Sequence, residues 1–169
     1  MANSGTPPNF DAVVIGAGFA GLGMLRRLRD ELGMSAQVYE AGGGVGGTWY
    51  WNRYPGARCD SESYIYCFSF SKELLQDWDW SGKYPEQPEI LSYLNHVADR
   101  FDLRRNIQFN TRVTSARFLE DSNRWEIETD QGDRVTAQFL ITGIGCISAG
   151  NVPDIKGLHS FQGEWYHTG

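Results

Sequence analysis

Gly16, Gly18 and Gly21 stand in a G-x-G-x-x-G pattern within "GAGFAG", directly after the apolar run "DAVVI". Each glycine has a separate physical task at that spacing. Gly16 permits a tight strand-to-helix turn, Gly18 lets the main chain approach a pyrophosphate, and Gly21 lets the next helix pack close to the strand. That helix, with Phe19 and Ala20 in its first turn, offers free N–H groups and a partial positive charge to phosphates. Asp11–Ile15 reads as a buried parallel strand. Gly18–Leu32 carries Leu22, Leu25, Leu28 and Leu32 at helical spacing. Gln37–Glu40, "QVYE", reads as a second strand that ends in an acid, which completes a βαβ unit.

The position of Glu40 sharpens the reading, because a carboxylate about twenty residues after the glycines accepts hydrogen bonds from ribose hydroxyls. It also repels a 2′-phosphate, so the site is expected to hold FAD or NAD rather than NADP. The next stretch, Ala41–Ala57, "AGGGVGGTWYWNRYPGA", is a long Gly- and aromatic-rich loop, and loops of this length in compact domains are usually functional. Gly46 and Gly47 let the main chain approach a bulky ligand, and Trp49, Tyr50 and Trp51 can wall a flat ring system. A plain NAD site does not need this second loop, which favours FAD. The bland alternative for the aromatic cluster Trp49–Tyr54 is core filling.

Further along, Pro88–Phe101 reads as an amphipathic helix with Ile90, Leu91, Leu94, Val97, Ala98 and Phe101 on one stripe. From Ile107 the period becomes two. Trp125, Ile127 and Thr129 alternate with Arg124, Glu126 and Glu128, and turn signals at "EDSN" and "DQGD" make Val113–Thr136 an antiparallel meander. "AQFLITGIG", Ala137–Gly145, reads as a further buried strand running into a Gly turn.

A net charge of −6 argues against nucleic acid, whose phosphates call for a basic surface. There is no run of about 18 apolar residues, so no membrane span is expected. "MANSGTPPNF" lacks a basic n-region and an apolar h-region, so residues 1–9 are expected to be a flexible lead-in rather than a secretory signal. Cys59, Cys67 and Cys146 lack metal-ligand spacing; no metal is expected, and free thiols in a reducing compartment, the cytoplasm by default, are the simplest reading. Composition and spacing do not set an oligomeric state.

Three stretches resemble the two-dinucleotide flavoprotein monooxygenases, and within them the Baeyer–Villiger monooxygenases. The first is "GAGFAGL" with Glu40. The second is "GGTWYWNRYPGARCDSES", Gly46 to Ser63, similar to the segment that packs on the isoalloxazine in that family. The third is "FQGEWYHTG", where Phe161, Gly163, His167 and Thr168 match the first fixed positions of a longer family fingerprint. The fold implied is α/β: a Rossmann-like FAD-binding domain whose parallel sheet carries an inserted antiparallel β-meander. Residues 10–150 are expected to be the N-terminal part of that domain. Residues 151–169 are expected to begin a linker toward an NADPH-binding domain outside this chain.

The resemblance implies that NADPH reduces FAD, that the reduced flavin binds O2 as a C4a-peroxide, and that this attacks a ketone to give an ester or lactone. A small-molecule ketone and O2 are then the partners. Asp60 matches the acid that orients an arginine supplied from later in the family's chain. The residue-level alternative for Asp60 is a loop carboxylate capping a turn. Arg58 and Cys59 match positions that approach the nicotinamide coenzyme. Thr48, Trp49, Tyr50 and Trp51 match positions beside the flavin, with Tyr66 near it, and Val113 is expected to touch the adenine by its main chain or simply to face inward from the meander. Gly145 keeps the family's turn, although Ile144 replaces a hydroxyl residue. His167 is expected to influence domain motion rather than proton transfer. Two other readings stay open: a heteroatom-oxidising flavin monooxygenase or N-hydroxylase, and a truncated, non-catalytic FAD-binding module.

Overall fold

The protein is described here by a computed structural model, which covers residues 8–167. The lead-in over residues 1–7 and Thr168 lie outside the described residues. One six-stranded sheet organises the chain, in the order β3-β2-β1-β6-β5-β4. The α/β class and the parallel sheet with an antiparallel extension are as the sequence predicts.

β1 (Asn9–Ile15) pairs in parallel with β2 (Ala36–Tyr39) on one side and β6 (Arg134–Thr142) on the other. Both neighbours cover it, so Ala12, Val13 and Val14 are fully buried, and a continuous apolar run rather than an alternating one is what such a strand requires. β3 (Ile107–Gln108) extends the parallel part beyond β2. β4 (Val113–Leu119) and β5 (Arg124–Thr129) form the antiparallel part, with β5 joined to the first half of β6.

The predicted meander and the predicted strand Ala137–Gly145 share one element. β6 runs unbroken, antiparallel to β5 from Arg134 to Ala137 and parallel to β1 from Thr136 to Thr142. No glycine or proline interrupts that stretch, so one strand serves both ladders. It ends at Thr142, three residues short of the expected Gly145.

α1 (Phe19–Arg26) lies against one face of the sheet through Leu22 and Leu25, and Leu28 follows from a π-helical turn at Arg27–Glu31. Burying each leucine stabilises the fold by roughly 1.5–3 kcal/mol. That wider turn ends the helix, so Leu32, predicted on the buried stripe, is exposed. α4 (Gln87–Arg100) covers the same core with Ile90, Leu94, Val97 and Ala98. Tyr93 joins that stripe unpredicted, because its phenolic oxygen accepts from Phe68 N–H at 2.8 Å and so tolerates burial. The opposite face of the sheet gathers Val13, Tyr39, Ile127, Val135 and Ala137.

The long glycine-rich loop contains a single helical turn, α2 (Thr48–Trp51), which follows Gly47 at φ 53°. A further short helix, α3 (Lys72–Asp77), was not predicted; Ser71 caps it by accepting from Leu74 N–H at 3.1 Å.

Candidate functional site

Three parallel strands finish level with one another, at Ile15, Tyr39 and Thr142. The chain leaves β1 toward β2 on one side and returns in β6 on the other, and a crevice belongs at such a reversal of strand order. A crevice of about 480 Å³ opens there, lined by Gly16, Glu40, Trp51 and Val113 among others. That volume lies within the usual range for small-molecule sites.

The glycines show why no side chain fits at its floor. A Cβ on Gly21 would lie 1.8 Å from the Gly16 carbonyl oxygen, so α1 can pack this closely only without one. Gly16 has φ +97°, and a Cβ there would meet the Gly143 carbonyl oxygen at 2.7 Å. Gly18 and Gly47 face each other in the same manner: a Cβ on Gly47 would lie 2.9 Å from the Gly18 Cα. The glycine-rich loop therefore docks main chain to main chain on the first turn of α1. The N–H groups of Gly18, Phe19 and Ala20 have no intrahelical carbonyl to bond and remain available to an anion.

Glu40 is only 5% exposed, and both of its carboxylate oxygens are engaged. Oε2 accepts from Ala17 N–H and Oε1 from Gly42 N–H, each at 2.7 Å. Each oxygen retains a lone-pair direction, so the group can still receive ribose hydroxyls while it joins the two glycine-rich turns. Gly46 N–H adds a third tie, to the Ala17 carbonyl at 2.9 Å.

The aromatic residues divide into two groups. Trp49 is buried; its indole N–H donates to the Tyr66 hydroxyl at 3.0 Å, and Phe19 meets the Tyr66 ring edge-on at 4.8 Å. Burial pushes the Tyr66 phenol pKa up, so this wall is neutral. Trp51 is separate: it is exposed and lines the crevice with Glu40 and Val113. Thr48, Trp49, Tyr50 and Trp51 share the turn α2, and its aromatic rings face different neighbours. Tyr50 turns to its own loop, where its hydroxyl accepts from Gly43 N–H at 3.1 Å.

Arg58 lies away from this crevice. It forms an ion pair with Glu86, donates to the Tyr84 carbonyl at 2.9 Å, and lines a different cavity beside Lys83. Cys59 is buried, with its N–H on the Pro85 carbonyl. Asp60 is exposed and close enough to Tyr66 to raise its pKa slightly further. Gly145 is exposed with φ +74° and lies outside the lining; Gly143 takes the tight place instead, its N–H bonded to the Ile15 carbonyl at 2.8 Å. Tyr39, Thr111, Arg112 and Gly143 also line the crevice without having been singled out, and Ile144 lines it beside them. "GIG" held the signal for Gly143, since a glycine directly after a buried strand marks close main-chain approach. His167 lies within 3.3 Å of the Asn151 carbonyl. Among the described residues no cluster of three metal-ligating side chains occurs, and no helix is long and apolar enough to cross a membrane.

Residues 13–168 match the pyridine nucleotide-disulphide oxidoreductase family. The chain belongs to that family. It is 52% identical to a Baeyer–Villiger monooxygenase of Pseudooceanicola batsensis, over 95% of this chain and 30% of that protein. It is 48% identical to a phenazine N-monooxygenase of Lysobacter antibioticus, over 95% of this chain and 30% of that protein. Among solved structures, NADP+-bound cyclohexanone monooxygenase from Rhodococcus sp. Phi1 superposes with a TM-score of 0.86 at 52% identity. That match covers 94% of this chain and 30% of the other. The OTEMO complex with FAD and NADP gives a TM-score of 0.82 at 48% identity, over 94% and 30% of the two chains. The resemblance to Baeyer–Villiger enzymes drawn from the three motifs is borne out. The chain spans about 30% of the length of the relatives it matches.

Proposed function

We propose that this chain is the FAD-binding part of an FAD- and NADPH-dependent Baeyer–Villiger monooxygenase, which inserts one oxygen atom of O2 beside a ketone carbonyl. Residues 10–150 form the flavin-binding unit and residues 151–169 lead toward an NADPH-binding domain. The observation that carries the reading is the pairing of Gly18 with Gly47 beside Glu40: two glycine-rich turns, held together by one carboxylate, around an open crevice.

In this reading the diphosphate lies on the N–H groups of Gly18, Phe19 and Ala20, and Glu40 receives the ribose hydroxyls. Val113 and Trp51 border the adenine end, and Trp49, Tyr66 and Phe19 form the wall toward the flavin ring. FAD, once reduced by NADPH, supplies the oxygen activation; the protein binds, orients and excludes water. Asp60 stands exposed beside that wall, where its carboxylate can hold a cationic side chain from the rest of the protein.

The test is direct. The full-length chain should purify yellow, and with NADPH and O2 it should convert cyclohexanone or phenylacetone to lactone or ester, read by gas chromatography. A colourless protein that gains no flavin absorbance with added FAD overturns the assignment. A second reading, N-oxidation of an aromatic heterocycle, is supported by the similarity to the phenazine N-monooxygenase; turnover of phenazine with no ester from any ketone would select it. A flavin-loaded protein that oxidises neither class is a binding module only.

A further inference from the structure

Arg112 sits exposed at the crevice. It lines the opening with Glu40, Trp51 and Val113. Its main chain is fixed on both sides: its N–H donates to Asp130 Oδ1 at 2.9 Å, and its carbonyl accepts from Asp130 N–H at 2.9 Å. The preceding Thr111 N–H is tied to the Glu40 carbonyl at 2.9 Å, so the segment is strapped to the tip of β2. The guanidinium, by contrast, has no hydrogen bond and no ion pair among the described residues. Every other arginine has a partner for its side chain, whether a carboxylate, as for Arg29, Arg104 and Arg117, or a carbonyl, as for Arg53 and Arg124.

A fixed main chain carrying an unpartnered planar cation at the rim of a crevice suits a flat, electron-rich ligand. A guanidinium is weakly hydrated and stacks on aromatic faces, and Trp51 supplies a second flat group to the same crevice. Glu40 is shielded by its own two N–H bonds and does not draw Arg112 into an ion pair. We propose that Arg112 is a ligand-binding residue that stacks on the adenine ring, with Trp51 as the companion wall. The proposal rests on the reading of this crevice as an FAD site and adds a side-chain determinant to the main-chain contact expected of Val113. Ring stacking, rather than phosphate pairing, is favoured because the phosphate-binding N–H groups belong to α1, whereas Arg112 stands on the segment strapped to Glu40, which takes the ribose.

The experiment compares full-length wild-type protein with Arg112→Ala and Arg112→Lys, each stripped of flavin and titrated with FAD at 0.05 and 0.5 M NaCl. Apoprotein melting temperature is measured in parallel. Arg112→Ala should lose about 3- to 30-fold in FAD affinity, the span of an exposed to a desolvated cation–π contact. The loss should persist at high salt, Arg112→Lys should restore only part of it, and the apoprotein melting temperature should be unchanged. Unaltered affinity in Arg112→Ala overturns the proposal. So does a loss that vanishes at 0.5 M NaCl or is fully restored by lysine, which marks a phosphate contact. A melting temperature that falls together with affinity assigns the residue to the fold instead. A wild-type apoprotein that takes up no FAD refutes the site itself, a result distinct from all of these.

Discussion

The main-chain N–H of Ala17 lies 2.7 Å from Oε2 of Glu40, a residue 23 positions later on the neighbouring strand. This bond joins the elbow after β1 to the tip of β2 and fixes two of the turns that border the crevice. Site preorganisation lowers the cost of ordering loops on binding.

Glu40→Ala should therefore act twice. It leaves the buried N–H donors of Ala17 and Gly42 without partners, at about 1–3 kcal/mol for each orphaned group. It also removes the carboxylate proposed to receive the ribose hydroxyls. We expect a lower melting temperature of the apoprotein and a fall of at least about tenfold in FAD affinity by fluorescence titration. Retention of both would show that the carboxylate has neither task.

Gly21→Ala should prevent assembly of the site. The added methyl carbon would sit 1.8 Å from the Gly16 carbonyl oxygen, and that atom is main chain with nowhere to yield. Overpacking of this kind costs about 1–3 kcal/mol or more. Gly82→Ala is the control, because nothing lies within 4 Å of the new carbon. Flavin content after purification should be lost in the first variant and kept in the second.

Asp60→Ala should slow oxygenation of a ketone much more than it weakens FAD. Asp60 is exposed and lies outside the crevice lining, so flavin affinity should change less than about threefold, while kcat falls by at least about tenfold. Equal losses in the two measurements would make Asp60 a structural residue of its loop.

Tyr39 predicts an alkaline limit to stability. Burial raises its pKa from 10.0 to about 12, with the Asp133 charge adding to the effect. Between those values the unfolded chain has lost the proton that the folded chain still holds. Stability from this group is therefore whole below pH 10 and falls between pH 10 and 12. Tyr39→Phe removes the titrating group, and the drop in urea midpoint between pH 9 and pH 11 should become smaller than in the wild-type protein.

Much of this arrangement was legible in the sequence because it depends on local rules. The strand–glycine–helix order around Gly16 and the acid at Glu40 have fixed spacings, and the crevice forms where those spacings place it. The stripe of α4 followed from period alone. Other features depend on long-range pairing that no window reveals. β6 serves two ladders, so its meander half and its parallel half read as separate strands. Arg58 bonds Glu86 and the Tyr84 carbonyl, 28 and 26 residues away, partners that no local window shows. Tyr93 was passed over because a phenol reads as polar until its partner at Phe68 is known. Gly143 rather than Gly145 bears the close contact, and only the register of Ile15 with Thr142 decides between them.

The bond from Gly143 N–H to the Ile15 carbonyl has a consequence for biosynthesis. The elbow emerges from the ribosome first, but its floor comes from a strand made more than a hundred residues later. At about 5–20 residues per second that interval is on the order of ten seconds. During it, Val13 and Val14 lack one flanking strand and present an open edge to other chains. A nascent polypeptide released before Thr142 would expose that edge permanently, so truncation upstream of this point should yield insoluble product instead of a smaller flavin binder.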